Sequence, residues 1–236
     1  ELLWVPSHPP IDMDWLRTLP NQLASGLQGM RPKVIGGLLR QDMAQHPLLY
    51  VGYFIVVFGL WRLRRFGLAQ LDRLATRMRD VLSDRFAYTV LAIIWSGAVA
   101  LLWPLTCVMA GLLLRRLGDS HMTDAEALGS TLVFVGMMGL GLASLHALIR
   151  PNGLAEAHLR WGQQRLNDMR HAWVTAACLL VPAAFMAVWP LRQGTDAAIG
   201  SYARLAVMAI GIGMGWLTHW MLRRERLWPN IPHTLN

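Results

Sequence analysis

Charge is scarce in this 236-residue chain, and so is cysteine: Asp, Glu, Lys and Arg make up 15% of the residues, and there are two cysteines. Water-soluble domains usually carry about 25% charged residues. Against 54% hydrophobic residues and a mean hydropathy of +0.35, that shortage excludes intrinsic disorder and an ordinary water-soluble enzyme fold. Cys107 and Cys178 both fall inside apolar runs, so they support no disulfide framework, no redox CxxC pair and no zinc cluster, and read as small buried hydrophobes. Catalytic signatures are missing as well. There is no HExxH, GxSxG or phosphate-loop motif, and no catalytic residue, cofactor or metal site is expected. The first ten residues lack a basic stretch followed by an apolar one, so they are not a signal peptide, and the chain reads as an excerpt of a longer protein.

What is present is a series of long apolar runs separated by arginines, the pattern of an all-α polytopic membrane domain. A bilayer core about 30 Å thick needs about 20 mostly apolar helical residues. Five segments qualify, near 46–63, 86–114, 127–149, 172–191 and 199–222. They divide the chain into a leader at 1–45, a five-span domain at 46–226 and a tail at 227–236. The second segment would be roughly 43 Å long if straight, too long for the bilayer, so it must tilt or bend. Pro104 inside it and Pro182 inside the fourth segment are the expected kinks.

The net charge of +8 belongs to topology rather than to nucleic-acid binding, because the basic residues sit between the apolar runs. Fourteen fall on one side: seven between the first two segments, four between the third and fourth, and three after the fifth. The leader and the opposite loops hold the remaining eight. The positive-inside rule then places the N-terminus outside and the C-terminus in the cytoplasm. In the first inside loop Leu63, Phe66, Leu71, Leu74, Met78 and Leu82 fall near one helical face, which predicts a basic amphipathic hairpin segment. Arg62, Arg64, Arg65, Arg73 and Arg77 are its candidate contacts to lipid headgroups. The leader between residues 14 and 39, broken by Pro20, Pro32 and several glycines, reads as interfacial helix pieces.

No segment carries a central ionisable residue, which counts against a transporter or proton pump. His146, His171 and His219 would lie near the inner ends of three segments, leaving a cytochrome-like electron carrier as an alternative. Small residues carry a packing signal. Gly211 and Gly215 are four apart, Ala92, Ser96 and Ala100 repeat at the same interval, and Gly136, Gly139 and Gly141 cluster on the third segment. Gly139, Gly211 and Gly215 are the expected helix-packing residues.

The opening Leu2-Leu3-Trp4-Val5-Pro6-Ser7, the Asp84-Arg85-Phe86 start of a long segment containing Trp103-Pro104, and above all the stretch from Arg150-Pro151-Asn152-Gly153 to Trp161 resemble one family segment. It is the inner-membrane domain of large MscS-like mechanosensitive channels of the MscK and MscM kind. The resemblance covers about residues 2–226. It implies a multi-pass protein of the bacterial inner membrane that follows a periplasmic region, precedes the shared channel core and assembles as a homo-oligomer, a heptamer. It implies membrane lipids as partners, no nucleic acid, and ions conducted by residues outside this chain. This segment would then be the peripheral, tension-sensing part of a channel that opens on membrane tension or hypo-osmotic shock. A membrane scaffold or assembly protein is the further alternative.

Overall fold

The computed structural model describes residues 12–28, 32–78, 86–118, 123–150, 155, 163–193 and 202–222. Among them there is no strand, and eight helices follow one another: α1 (Met13–Gln28), α2 (Pro32–Gln45), α3 (Pro47–Met78), α4 (Phe86–Ala100), α5 (Leu102–Gly118), α6 (Thr123–Ile149), α7 (Gln163–Gln193) and α8 (Tyr202–Leu222). Their ends follow ordinary rules. The Asp12 carboxylate accepts from the Trp15 backbone N–H at 2.7 Å and so N-caps α1. Proline opens α2 and α3, where its missing N–H costs nothing. Asp124 and Glu126 lie in the first turn of α6, and Arg115 and Arg116 in the last turn of α5, each sign matched to the helix dipole.

Three helices are singly long and apolar enough to cross a membrane, over Pro47–Leu74, Asp124–Ile149 and Gln163–Arg192, and the α4–α5 pair makes up to a fourth. The all-α polytopic architecture stands, with three to four candidate spans among the described residues where five were expected. The last segment, α8, has 21 residues, about 31 Å of helix, but Arg204 near one end and His219 near the other dilute its apolar stretch.

The second expected span is broken rather than smoothly tilted. Its halves, α4 and α5, meet at Leu101 with a bend of 44°. Pro104 has no N–H to donate to the Ala100 carbonyl, and the break turns it into a first-turn residue of α5, where proline is tolerated. The next bond, from the Leu105 N–H to the Leu101 oxygen at 3.0 Å, is intact. Pro182 behaves differently: α7 continues through it as one helix to Gln193.

The amphipathic segment expected after the first span is helical, as its pattern predicts. The span and the amphipathic segment are a single 32-residue helix, α3, about 48 Å long. Its second half packs one face and leaves the other exposed: Leu71 and Leu74 are buried against Ala92 and Val99 of α4 with Leu68, Tyr88 and Trp95 around them, while Asp72 and Arg73 are exposed. The Ala92, Ser96 and Ala100 stripe is buried throughout.

The most extensive helix pair is α5 with α6, followed by α7 with α8 and α6 with α7. A core of Ile149, Leu166, Met169, Trp173, Leu180 and Leu217 joins the last three helices. At the other end Ile35 and Leu39 of α2 pack on Leu114, Leu117 and Ala125, covering the point where α5 hands over to α6. The Tyr50 hydroxyl donates to Asp42 at 2.8 Å and fastens the first turn of α3 to α2.

Candidate functional site

In lipid there is no hydrophobic drive between helices, so close packing has to come from small residues that let backbones touch. The α5–α6 pair is built that way. A Cβ on Gly136 would lie 2.8 Å from the Pro104 carbonyl oxygen, and one on Gly139 would lie 2.8 Å from the Trp103 ring. Gly111 and Gly129 are tighter still, each facing the other's backbone. These four glycines clasp α5 to α6 just beyond the α4–α5 break.

Gly139, expected as a packing residue, is therefore found against Trp103. Gly211 and Gly215 take no part in close packing among the described residues. A Cβ on either meets nothing within 4 Å, and the close contact on α8 falls on Gly213, whose added Cβ would sit 3.2 Å from Leu179. The reason is helical phase: two residues are about 200° of rotation, so the face holding positions 211 and 215 points away from the one that meets α7. Gly111 and Gly129 escaped the sequence reading. The available signal was the seven-residue spacing of Gly129 and Gly136, two turns on one face, which a search for four-residue spacing passes over.

Beside the break lies a cavity of about 650 Å³. Its wall is apolar toward the bend, from Leu102, Trp103, Val174 and Val181, and basic at one end, from Arg64, Arg150 and His146. Trp103, Val174 and Cys178 are exposed, so the cavity opens on the outer surface of the bundle. Arg64 projects from α3 and Arg150 stands immediately after the last residue of α6. Among the described residues neither guanidinium makes a hydrogen bond or an ion pair. Burial pushes the Arg150 pKa below its ordinary value, Asp72 pulls it back, and the like charge of Arg64 lowers it further. The His146 Nδ1 is buried with no hydrogen-bond partner among the described residues.

The end of α6 is held from α7. The Arg170 Nε donates to the Ile149 carbonyl at 2.6 Å, placing a positive charge on the C-terminus of α6. One of its terminal nitrogens donates to Asn167 at 2.7 Å. The Trp173 Nε1 donates to the Leu142 carbonyl at 2.8 Å, two turns earlier on α6. These two bonds fix the wall from which His146 and Arg150 project.

Arg62, Arg65 and Arg73 are exposed on α3, as Arg64 is, and the Arg65 guanidinium lies 4.4 Å from the Trp61 ring centroid. The side chain of Arg77, the tail at 227–236 and nearly all of the stretch from residue 151 to 162 lie outside the described residues. The three histidines diverge: His146 faces the cavity, whereas His171 and His219 are exposed. Among the described residues no three His, Cys, Asp or Glu side chains are grouped to hold a metal ion.

The outward faces are strongly apolar. Phe54, Ile55 and Phe58 on α3, Ile93 and Ile94 on α4, and Met208 and Ile212 on α8 are all exposed, which suits lipid and not water as the surrounding medium. Comparison with curated proteins and with solved structures finds no match. A family model does match, described as mechanosensitive ion channel inner membrane domain 1, over residues 47–228, from the start of α3 to beyond α8. That stretch takes in the broken span, its glycine clasp and the basic cavity, and it makes this chain a member of the mechanosensitive ion channel inner membrane domain family.

Proposed function

We propose that this domain is the peripheral, tension-sensing part of its channel and that the conducting pore lies outside residues 1–236. The observation that carries the reading is the broken span: a 44° bend between α4 and α5, with apolar side chains exposed around it. Tension favours whichever conformation occupies more area in the membrane plane, and bent or tilted helices convert bilayer thickness into in-plane area. The glycine clasp supports this, since it ties the lower arm of the bend to α6 as one unit and lets a change at Leu101 be passed on. The apolar stretches 47–61, 127–149 and 172–191 carry no Asp, Glu, Lys or Arg, which suits a lipid-facing sensor better than an ion path.

The orientation we propose is leader outside and C-terminus in the cytoplasm of a bacterial inner membrane. The arginine distribution is its main support. The packing of α2 on the α5–α6 junction agrees with it, since the leader and that junction then share one side. Assembly as a homo-oligomer, seven subunits by the resemblance, belongs to the same reading.

The test is electrical. Residues 1–236 reconstituted in lipid should give no discrete stretch-activated currents, whereas the parent protein containing the downstream channel core should. Reproducible tension-gated openings from residues 1–236 alone would place the pore here and overturn the reading.

A further inference from the structure

Two guanidiniums at one end of an apolar cavity are an unusual pairing inside a membrane bundle. Arg64 is exposed and Arg150 half-buried, and an anion seated between them relieves the repulsion of their like charges. Arg64 lies about 26 Å along α3 from Pro47, just past the uncharged apolar stretch that ends at Trp61, and Arg150 about 39 Å along α6 from Asp124, immediately after Ile149, so both stand where an apolar stretch ends. The rest of the wall leads from these ends toward Trp103 at the bend and opens on the lipid-facing surface through Trp103, Val174 and Cys178. Neither lining arginine is neutralised by a direct partner among the described residues. Asp72 acts on Arg150 without forming an ion pair, and among the described residues no carboxylate lines the cavity.

We propose that this cavity binds one anionic phospholipid, its phosphate held between Arg64 and Arg150 and one acyl chain laid along Val174, Val181 and Trp103 toward the α4–α5 break. Guanidinium forks match phosphate oxygens in geometry as well as charge, and the buried His146 Nδ1 supplies a further polar partner at the same end. A volume of about 650 Å³ suits a headgroup and part of one chain, with the remainder in the bilayer. A phospholipid is favoured over a free phosphate because the charged end continues into an apolar wall that a free ion would leave uncovered. The inference rests on the membrane placement that underlies the tension-sensing reading and deepens it by naming the lipid. A binding measurement can nonetheless fail or succeed independently of any gating measurement.

Native mass spectrometry of the purified protein, titrated with phosphatidylglycerol or phosphatidylcholine, reads the site directly. The wild type should take up a first phosphatidylglycerol at least about tenfold more tightly than phosphatidylcholine, and Arg64→Gln with Arg150→Gln should abolish that preference. Ala177→Trp, which leaves both arginines and fills the cavity wall, should weaken the same first adduct. A Lys33→Gln, Arg40→Gln protein removes two exposed charges on α2 and should bind as the wild type does. Circular dichroism confirms that each variant is folded. The proposal is overturned if the double arginine variant binds phosphatidylglycerol like the wild type, or if the α2 variant loses binding equally. It is overturned also if Ala177→Trp has no effect, or if millimolar inorganic phosphate displaces the lipid completely, which would make the site one for a free anion.

Discussion

Gly111 of α5 and Gly129 of α6 stand backbone to backbone: a Cβ added to either would lie 2.5 Å from the carbonyl oxygen of the other. Neither position has room for a methyl group, and the blocking atoms are main chain, which cannot rotate aside. The two helices therefore meet backbone to backbone, the close approach that small residues allow.

Substitution at this contact should separate the helices. Gly129→Ala is expected to lower stability by about 1–3 kcal/mol, as overpacked sites do, and Gly129→Leu by more. Gly211→Ala and Gly215→Ala should change it by less than about 0.5 kcal/mol, since their added methyl groups meet nothing among the described residues. Thermal or denaturant unfolding in one detergent ranks the four variants. Equal losses at Gly129 and Gly215 would mean that α8 has a close neighbour on its outer face in the intact assembly.

Side of the membrane is the next expectation, and it also decides whether α8 crosses. With Cys107 and Cys178 replaced by serine, single-cysteine variants at Ser83, Ser120 and Thr234 can be exposed in intact cells to an impermeant maleimide. Ser120→Cys should react, while Ser83→Cys and Thr234→Cys should react only after permeabilisation. A reactive Ser83→Cys beside a silent Ser120→Cys would invert the domain. A reactive Thr234→Cys alone would make α8 a helix that does not traverse.

Much of this fold is legible in composition because a bilayer imposes simple demands on length and polarity. The helices, the bend ahead of Pro104 and the buried Ala92, Ser96 and Ala100 stripe all follow from residue type and spacing. What escapes is anything that depends on which face of a helix meets a neighbour. Gly211 and Gly215 have the spacing of a packing motif, yet Gly213 between them makes the contact. Leu71 and Leu74 look like the apolar face of a surface helix, and nothing local says that α4 will cover them. Arg64 and Arg150 are 86 positions apart, and only the packing of α3 beside the end of α6 makes them parts of one cavity.

Removing the Arg170 side chain should loosen the end of α6. Its Nε bond to the Ile149 carbonyl is charge-assisted and partly buried, a class of bond whose loss costs about 1.5–3 kcal/mol. Arg170→Ala is expected to lower stability by that amount and to speed amide hydrogen exchange in the last turn of α6. Arg170→Lys should recover only part of it, because one ammonium cannot reproduce the fork that reaches both Ile149 and Asn167. Unchanged exchange at residues 146–149 in the Ala variant would show that α7 holds α6 through the Trp173 bond and apolar contact alone.

The bend itself gives the sharpest link from structure to gating. Pro104→Ala supplies the missing N–H, so that residue 104 can donate to the Ala100 carbonyl and α4 and α5 can join as one helix. The Gly136 and Gly139 contacts resist complete straightening, because they hold the Pro104 carbonyl and the Trp103 ring against α6. Spin labels at the exposed Val90 and Leu112 report the change, since full straightening of a 44° bend lengthens that vector by about 2 Å. A straighter span occupies less in-plane area, and tension then does less work on it. Under the tension-sensing reading, the parent channel carrying Pro104→Ala should need higher tension to open, and a shift of about 1.4 kcal/mol in the closed-to-open balance would cut the open-to-closed ratio tenfold at fixed tension. Patch-clamp thresholds, normalised to a second mechanosensitive channel in the same patch, make the comparison independent of patch geometry. If the label distance increases while the threshold stays the same or falls at normal expression, the bend is a packing feature of this domain and its area is not what tension acts upon.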